Sequence, residues 1–166
     1  MTEGFLSLKS AHVRWLIILT FIIGLIFDSM VLLNSDLGFI PPMALLAVFY
    51  WSCRASDTTY MVSAFILGLL ADALHQTTLG AHALLYIIML FAMLRHRLQF
   101  RTYPEWQQAF IIGVYLMVYQ ILNYLFFSPV LSGGSYIAYW TMPAAGILIW
   151  PFLTMTLNLL TSRQSR

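Results

Sequence analysis

Six mostly apolar stretches, at about 15–33, 39–53, 60–75, 80–97, 108–130 and 137–160, separated by short polar breaks, leave this chain little choice of solvent. Each approaches the roughly 20 apolar residues that a helix needs to cross a bilayer. Ala44 to Trp51 and Ala83 to Leu94 are continuously apolar, which excludes the alternating pattern of a membrane β-barrel. Composition agrees: 61% of the 166 residues are hydrophobic and 8% charged, against roughly 25% charged in a soluble domain. The expectation is an all-α integral membrane protein, one six-helix transmembrane domain over 1–166, with no room between helices for a soluble domain. A cleaved signal peptide is not expected, since the first apolar run is long and lacks a small-x-small site. The net charge of +2 does not point to nucleic acid.

The basic residues set the orientation. Lys9 and Arg14 precede the first stretch, Arg54 follows the second, Arg95, Arg97 and Arg101 lie between the fourth and fifth, and Arg163 and Arg166 end the chain. With six spans all eight fall on one side, which predicts cytoplasmic N and C termini. Trp15, Trp51, Tyr103 and Trp106 near the cytoplasmic ends, and Tyr136, Tyr139 and Trp140 at the outer end, read as interfacial anchors. Pro143 and Pro151 predict a kinked sixth helix held by its neighbours. No tandem repeat and no inverted-repeat symmetry is expected.

An ionisable group in hydrocarbon costs several kcal/mol unless paired, so each one marks a candidate site. Asp28 lies about 7 Å from the outer end of the first span at 1.5 Å per residue. Gly68, Asp72 and His75 share one face of the third span, His82 opens the fourth, and Gln120 and Asn123 sit in the outer half of the fifth. With every Lys and Arg on the other side, Asp28 and Asp72 are left to pair with histidine, amide, hydroxyl, backbone N–H, water or another protein. Asp72 alone reads equally well as a helix cap, and a proton or solute relay is a further alternative.

Catalysis finds no support. Ser52, Ser56, Ser63 and Ser128 carry no activating motif, and neither H-E-x-x-H nor G-x-S-x-G occurs. Gly133 and Gly134 read as a turn. The lone Cys53 reads as structural, and no metal or cofactor site is expected. Small residues at Ala64, Gly68 and Ala145 favour close helix packing, within the chain or against other chains, a second copy included.

PPMALLAVFYW (Pro41 to Trp51) and GLLADALHQTTLGAHAL (Gly68 to Leu84), with WQQA (Trp106 to Ala109) and LIWPFL (Leu148 to Leu153), resemble the MreD family of rod shape-determining proteins over nearly the whole chain. The most specific part is the set Gly68, Asp72, Leu79, Gly80, Ala83 and Leu84. The resemblance implies a non-catalytic component of the bacterial cell-elongation machinery in the inner membrane, helping to direct lateral peptidoglycan synthesis. Its implied partners are MreC directly, and MreB, RodA and a class B penicillin-binding transpeptidase within the complex. It also implies a fold similar to the S-components of energy-coupling-factor transporters, around an outward-facing pocket. Gly68, Asp72, His75, Leu79, Gly80, Asp28, Gln120 and Asn123 then become the candidate partner-binding or structural pocket. Arg95, Arg97 and Arg101 become contacts for anionic lipid or cytoskeletal partners. The family often has arginine before the proline of the second span, where this chain has Ile40. A small-solute binding or transport protein is the competing reading.

Overall fold

A computed structural model describes residues 11–33, 39–54, 59–127 and 134–164, with side chains described at 13–31, 39–54, 59–127 and 139–161. They form six helices: α1 (Ala11–Leu33), α2 (Met43–Arg54), α3 (Met61–His75), α4 (Ala81–Thr102), α5 (Glu105–Phe127) and α6 (Gly134–Gln164). Lys9, Ser56, Ser128, Gly133 and Arg166, and the side chains of Tyr136 and Arg163, lie outside the described residues. Four helices, α1, α4, α5 and α6, are long and apolar enough to cross a membrane, whereas α2 and α3 have 12 and 15 residues. The α5 helix starts earlier than the apolar pattern alone suggests, because the Pro104 carbonyl accepts from the N–H groups of Gln107 and Gln108 and so begins the helical ladder. The α6 helix is continuous through both Pro143 and Pro151.

Three pairs of sequential helices, α1–α2, α3–α4 and α5–α6, pack side by side, and α2 also packs on α4 and α3. Every residue of α2 from Ala44 to Cys53 is buried. A helix apolar all round belongs inside, and this one is the axis of the bundle. Its position corrects one expectation: Trp51 is fully buried in the core, and its Nε1–H donates to Thr20 Oγ1 at 2.9 Å. Trp15 and Trp106, by contrast, are more than two-thirds exposed. Outward-facing apolar residues, such as Ile18, Ile22 and Ile26 on α1 and Phe110, Val114 and Met117 on α5, give the bundle a surface suited to lipid.

Two glycines set how closely the first two pairs approach. A Cβ on Gly24 would lie 2.8 Å from the Ala44 Cα, and one on Gly68 would overlap the Ala83 Cα. Each glycine stands four residues before an aspartate, in GLIFD (Gly24 to Asp28) and GLLAD (Gly68 to Asp72), and each faces an x-Ala-Leu-Leu at the next helix start, Met43 to Leu46 or His82 to Leu85. The same local joint therefore occurs twice, although it makes no tandem repeat. The links differ in length, since Asp28 precedes Met43 by 15 residues whereas Asp72 precedes His82 by 10.

Backbone contact cannot relax as a side chain can. Gly68→Ala is expected to lower stability in detergent by about 1–3 kcal/mol. Gly113→Ala, whose added methyl meets only the end of the Ile147 side chain, is expected to cost less. Thermal unfolding of both variants in the same detergent checks the order, and equal losses would contradict the close-packed joint.

Candidate functional site

The first turn of any helix leaves N–H groups without intrahelical partners and carries a partial positive charge. At the start of α2, Pro41 and Pro42 bring no N–H, and the next two donors, Met43 N and Ala44 N, reach the Asp28 carboxylate at 2.7 and 3.2 Å. At the start of α4, Gly80 N donates to Asp72 Oδ2 at 2.7 Å and His82 N to Asp72 Oδ1 at 2.9 Å. Thr77 Oγ1 and His82 Nδ1 add donors to the same Oδ1, at 3.0 and 2.8 Å. Gly80 reaches this geometry with φ of +98°, a conformation glycine adopts without strain. The two acids thus pair with helix N-termini.

Asp28 and His82 then face a common space. A cavity of about 280 Å³ opens where α1, α3 and α5 end and α2, α4 and α6 begin. Asp28, His75, His82, Gln120 and Asn123 contribute its polar groups, and Val31, Ile40, Phe127 and Met142 apolar ones. The His82 ring is fixed from three sides: Asp72 holds Nδ1, while His75 and Phe127 stack on it with centroids 5.1 and 4.4 Å away. Gln120 bridges α5 to α6, its Nε2 donating to the Tyr139 carbonyl, and Tyr139 Oη returns a hydrogen bond to the Gln120 carbonyl at 3.2 Å. Gln120 is fully buried, and its Oε1 has no partner.

The sequence candidates divide accordingly. Asp28, His75, Gln120 and Asn123 line the cavity, whereas Asp72 is fully buried behind His82 and does not line it. Gly68 sits at the α3–α4 contact, Gly80 in the turn, and Leu79 beside it is 78% exposed and outside the cavity. Arg95, Arg97 and Arg101, late on α4, belong to the opposite end of the bundle. Sequence reasoning missed Tyr86 and Tyr119, both buried against the cavity, and read Tyr139 as an interfacial anchor although it lines the cavity too. The spacing of His82 and Tyr86, one helical turn apart, and the adjacency of Tyr119 to Gln120 carried the signal. Among the described residues no group of three His, Cys, Asp or Glu is placed to hold a metal ion.

The profile of the family described as rod shape-determining protein MreD matches residues 9–162. The chain belongs to the MreD family. Its role is therefore in rod shape determination, and it is a helical membrane protein whose family is structural rather than enzymatic. No solved structure matches it. The repeated glycine–aspartate joint and the cavity both fall inside the matched region.

Removing either acid strips a helix start of its acceptor. Asp28→Ala is expected to cost about 0.5–2 kcal/mol, the usual range for a lost N-cap. Asp72→Ala should cost more, because four donors lose one acceptor group. Denaturant unfolding in detergent checks both, and wild-type stability for Asp72→Ala would contradict the capping role.

Proposed function

We propose that this chain is a non-catalytic scaffold of the bacterial cell-elongation machinery, set in the inner membrane with six crossings and both termini cytoplasmic, and that its outer cavity receives a segment of MreC. MreB, RodA and a class B penicillin-binding transpeptidase complete the assembly in this reading. The observation that carries it is the buried Gln120 Oε1, an acceptor without a donor at the wall of an open cavity. A buried unpaired acceptor is costly, and a peptide N–H or a side-chain hydroxyl supplies what it lacks. Val31, Ile40, Phe127 and Met142 beside it suit an apolar side chain on the same segment.

Topology and site support one another. The cavity lies at the end away from Arg54 and Arg101, hence on the outer side when the positive charges face the cytoplasm. The shortness of α2 is no obstacle to this arrangement, because neighbouring helices bury it almost completely and it need not match the bilayer thickness by itself. A second reading, binding of a small solute in an S-component-like fold, draws on the same cavity, whose volume lies close to the lower end of small-molecule sites at roughly 300–1,000 Å³.

Affinity purification of the tagged protein from its native membrane in mild detergent separates the two. MreC is expected to co-purify with the wild type, and Gln120→Leu to reduce its recovery about tenfold, the equivalent of one buried hydrogen bond. Unchanged recovery in Gln120→Leu would contradict docking at this cavity. Recovery of a transport ATPase with its coupling subunit, and no MreC, would favour the solute reading.

A further inference from the structure

The end of the bundle that carries the arginines has a cavity of its own, about 250 Å³, between the last turns of α2 and α4, the start of α5 and the second half of α6. Its charged and amide walls are Arg54, Arg101, Glu105, Gln108 and Asn158. Arg54 is held in place: its Nη2 donates to Asn158 Oδ1 at 2.5 Å, and its guanidinium carbon sits 5.6 Å from the Tyr50 ring centroid. Tyr50 Oη donates to the same Asn158 oxygen at 2.7 Å, so the α2–α6 contact fixes the arginine. At the aromatic wall stands Trp150, 1% exposed, whose Nε1–H has no acceptor. Arg54 and Arg101 bring two guanidinium groups to these walls, beside the carboxylate of Glu105.

A second observation extends this cavity sideways. An apolar groove formed by Pro151, Phe152, Met155 and Leu159 shares Glu105 and Asn158 with it, so the polar cavity and the groove are contiguous along α6. Phe152 and Met155 lie on the exposed, lipid-facing surface. A polar chamber with two guanidinium groups and an unused N–H donor, opening onto an apolar groove, matches one class of ligand in both halves.

We propose that this chain binds an anionic phospholipid here, its phosphate-bearing headgroup in the cavity against Arg54, Arg101 and the Trp150 N–H, and an acyl chain in the groove of Pro151, Phe152, Met155 and Leu159. Guanidinium groups meet phosphate oxygens with paired, charge-assisted hydrogen bonds. The cavity, at about 250 Å³, has room for several water-sized groups beside Arg54 and Arg101. The site is distinct from the outer cavity and stands whether or not that cavity holds MreC.

Native mass spectrometry of the purified full-length protein, titrated with phosphatidylglycerol or phosphatidylcholine in detergent, tests it. Phosphatidylglycerol is expected to bind about tenfold more tightly than phosphatidylcholine, a preference abolished in the Arg54→Gln, Arg101→Gln double variant and kept in Arg14→Gln, a surface cation of α1. Trp150→Phe keeps the aromatic wall, removes only the N–H and should weaken phosphatidylglycerol binding, which preserves the test should the double variant not fold. Met155→Trp, which fills the groove, should weaken both lipids. Equal binding of the two lipids by the wild type, an unaltered preference in the double variant, or unaltered phosphatidylglycerol affinity in Trp150→Phe, would overturn the site. Thermal stabilisation by inorganic phosphate without any lipid preference would assign the cavity to a soluble anion and overturn the lipid.

Discussion

Carboxylates capping helix N-termini hold this bundle together where ion pairs cannot. Asp28 and Asp72 are buried, and each takes the N–H groups at the start of the following helix. Such a pairing meets two demands with one contact, because the first turn of a helix needs acceptors as much as a buried carboxylate needs donors. A glycine one turn earlier on the same helix face brings the backbones close enough for the contact to form. The other features of this end follow: Asp72 aims His82, His82 stacks with His75 and Phe127, and the ring set becomes one wall of the cavity where α2, α4 and α6 begin.

The two ends of the molecule are chemically unlike, and α2 connects them. At its start Pro42 and Asp28 line one cavity, and at its end Arg54 reaches Asn158 beside the other. Between them Ala44 to Cys53 is packed on all sides, so α2 fixes the relative placement of both cavities. In water a largely apolar helix would be held by the hydrophobic effect, but in lipid it is held by close packing and a few hydrogen bonds. The Trp51–Thr20, Tyr50–Asn158 and Asp28–Met43 bonds supply these along its length.

Much of this was legible in the chain itself. The apolar stretches mark all six helices, and a buried acid without a basic partner has few acceptable neighbours, backbone N–H among them. What stayed hidden depends on which helix lies inside. Apolar periodicity does not distinguish a lipid-facing surface from a buried one, so Trp51 reads as an interfacial anchor and Arg54 as a topology marker, although one is core and the other is fixed by a residue 104 positions away. Tyr86, Tyr119 and Tyr139 belong to the cavity only because α4, α5 and α6 converge there, and single-helix reasoning holds no information on that convergence. The repeated Gly–x–x–x–Asp with its x–Ala–Leu–Leu was visible in the letters but masked by unequal links.

In the proposed reading, the cavity where α2, α4 and α6 begin receives a segment of MreC. The most direct test places a photoreactive amino acid at Asn123, on the wall of that cavity, and irradiates intact cells. An adduct with MreC, absent when the same group is placed at lipid-facing Ile22, is the result this account predicts. An equal yield of MreC adduct at both positions, or adducts with lipid alone at Asn123, would contradict it.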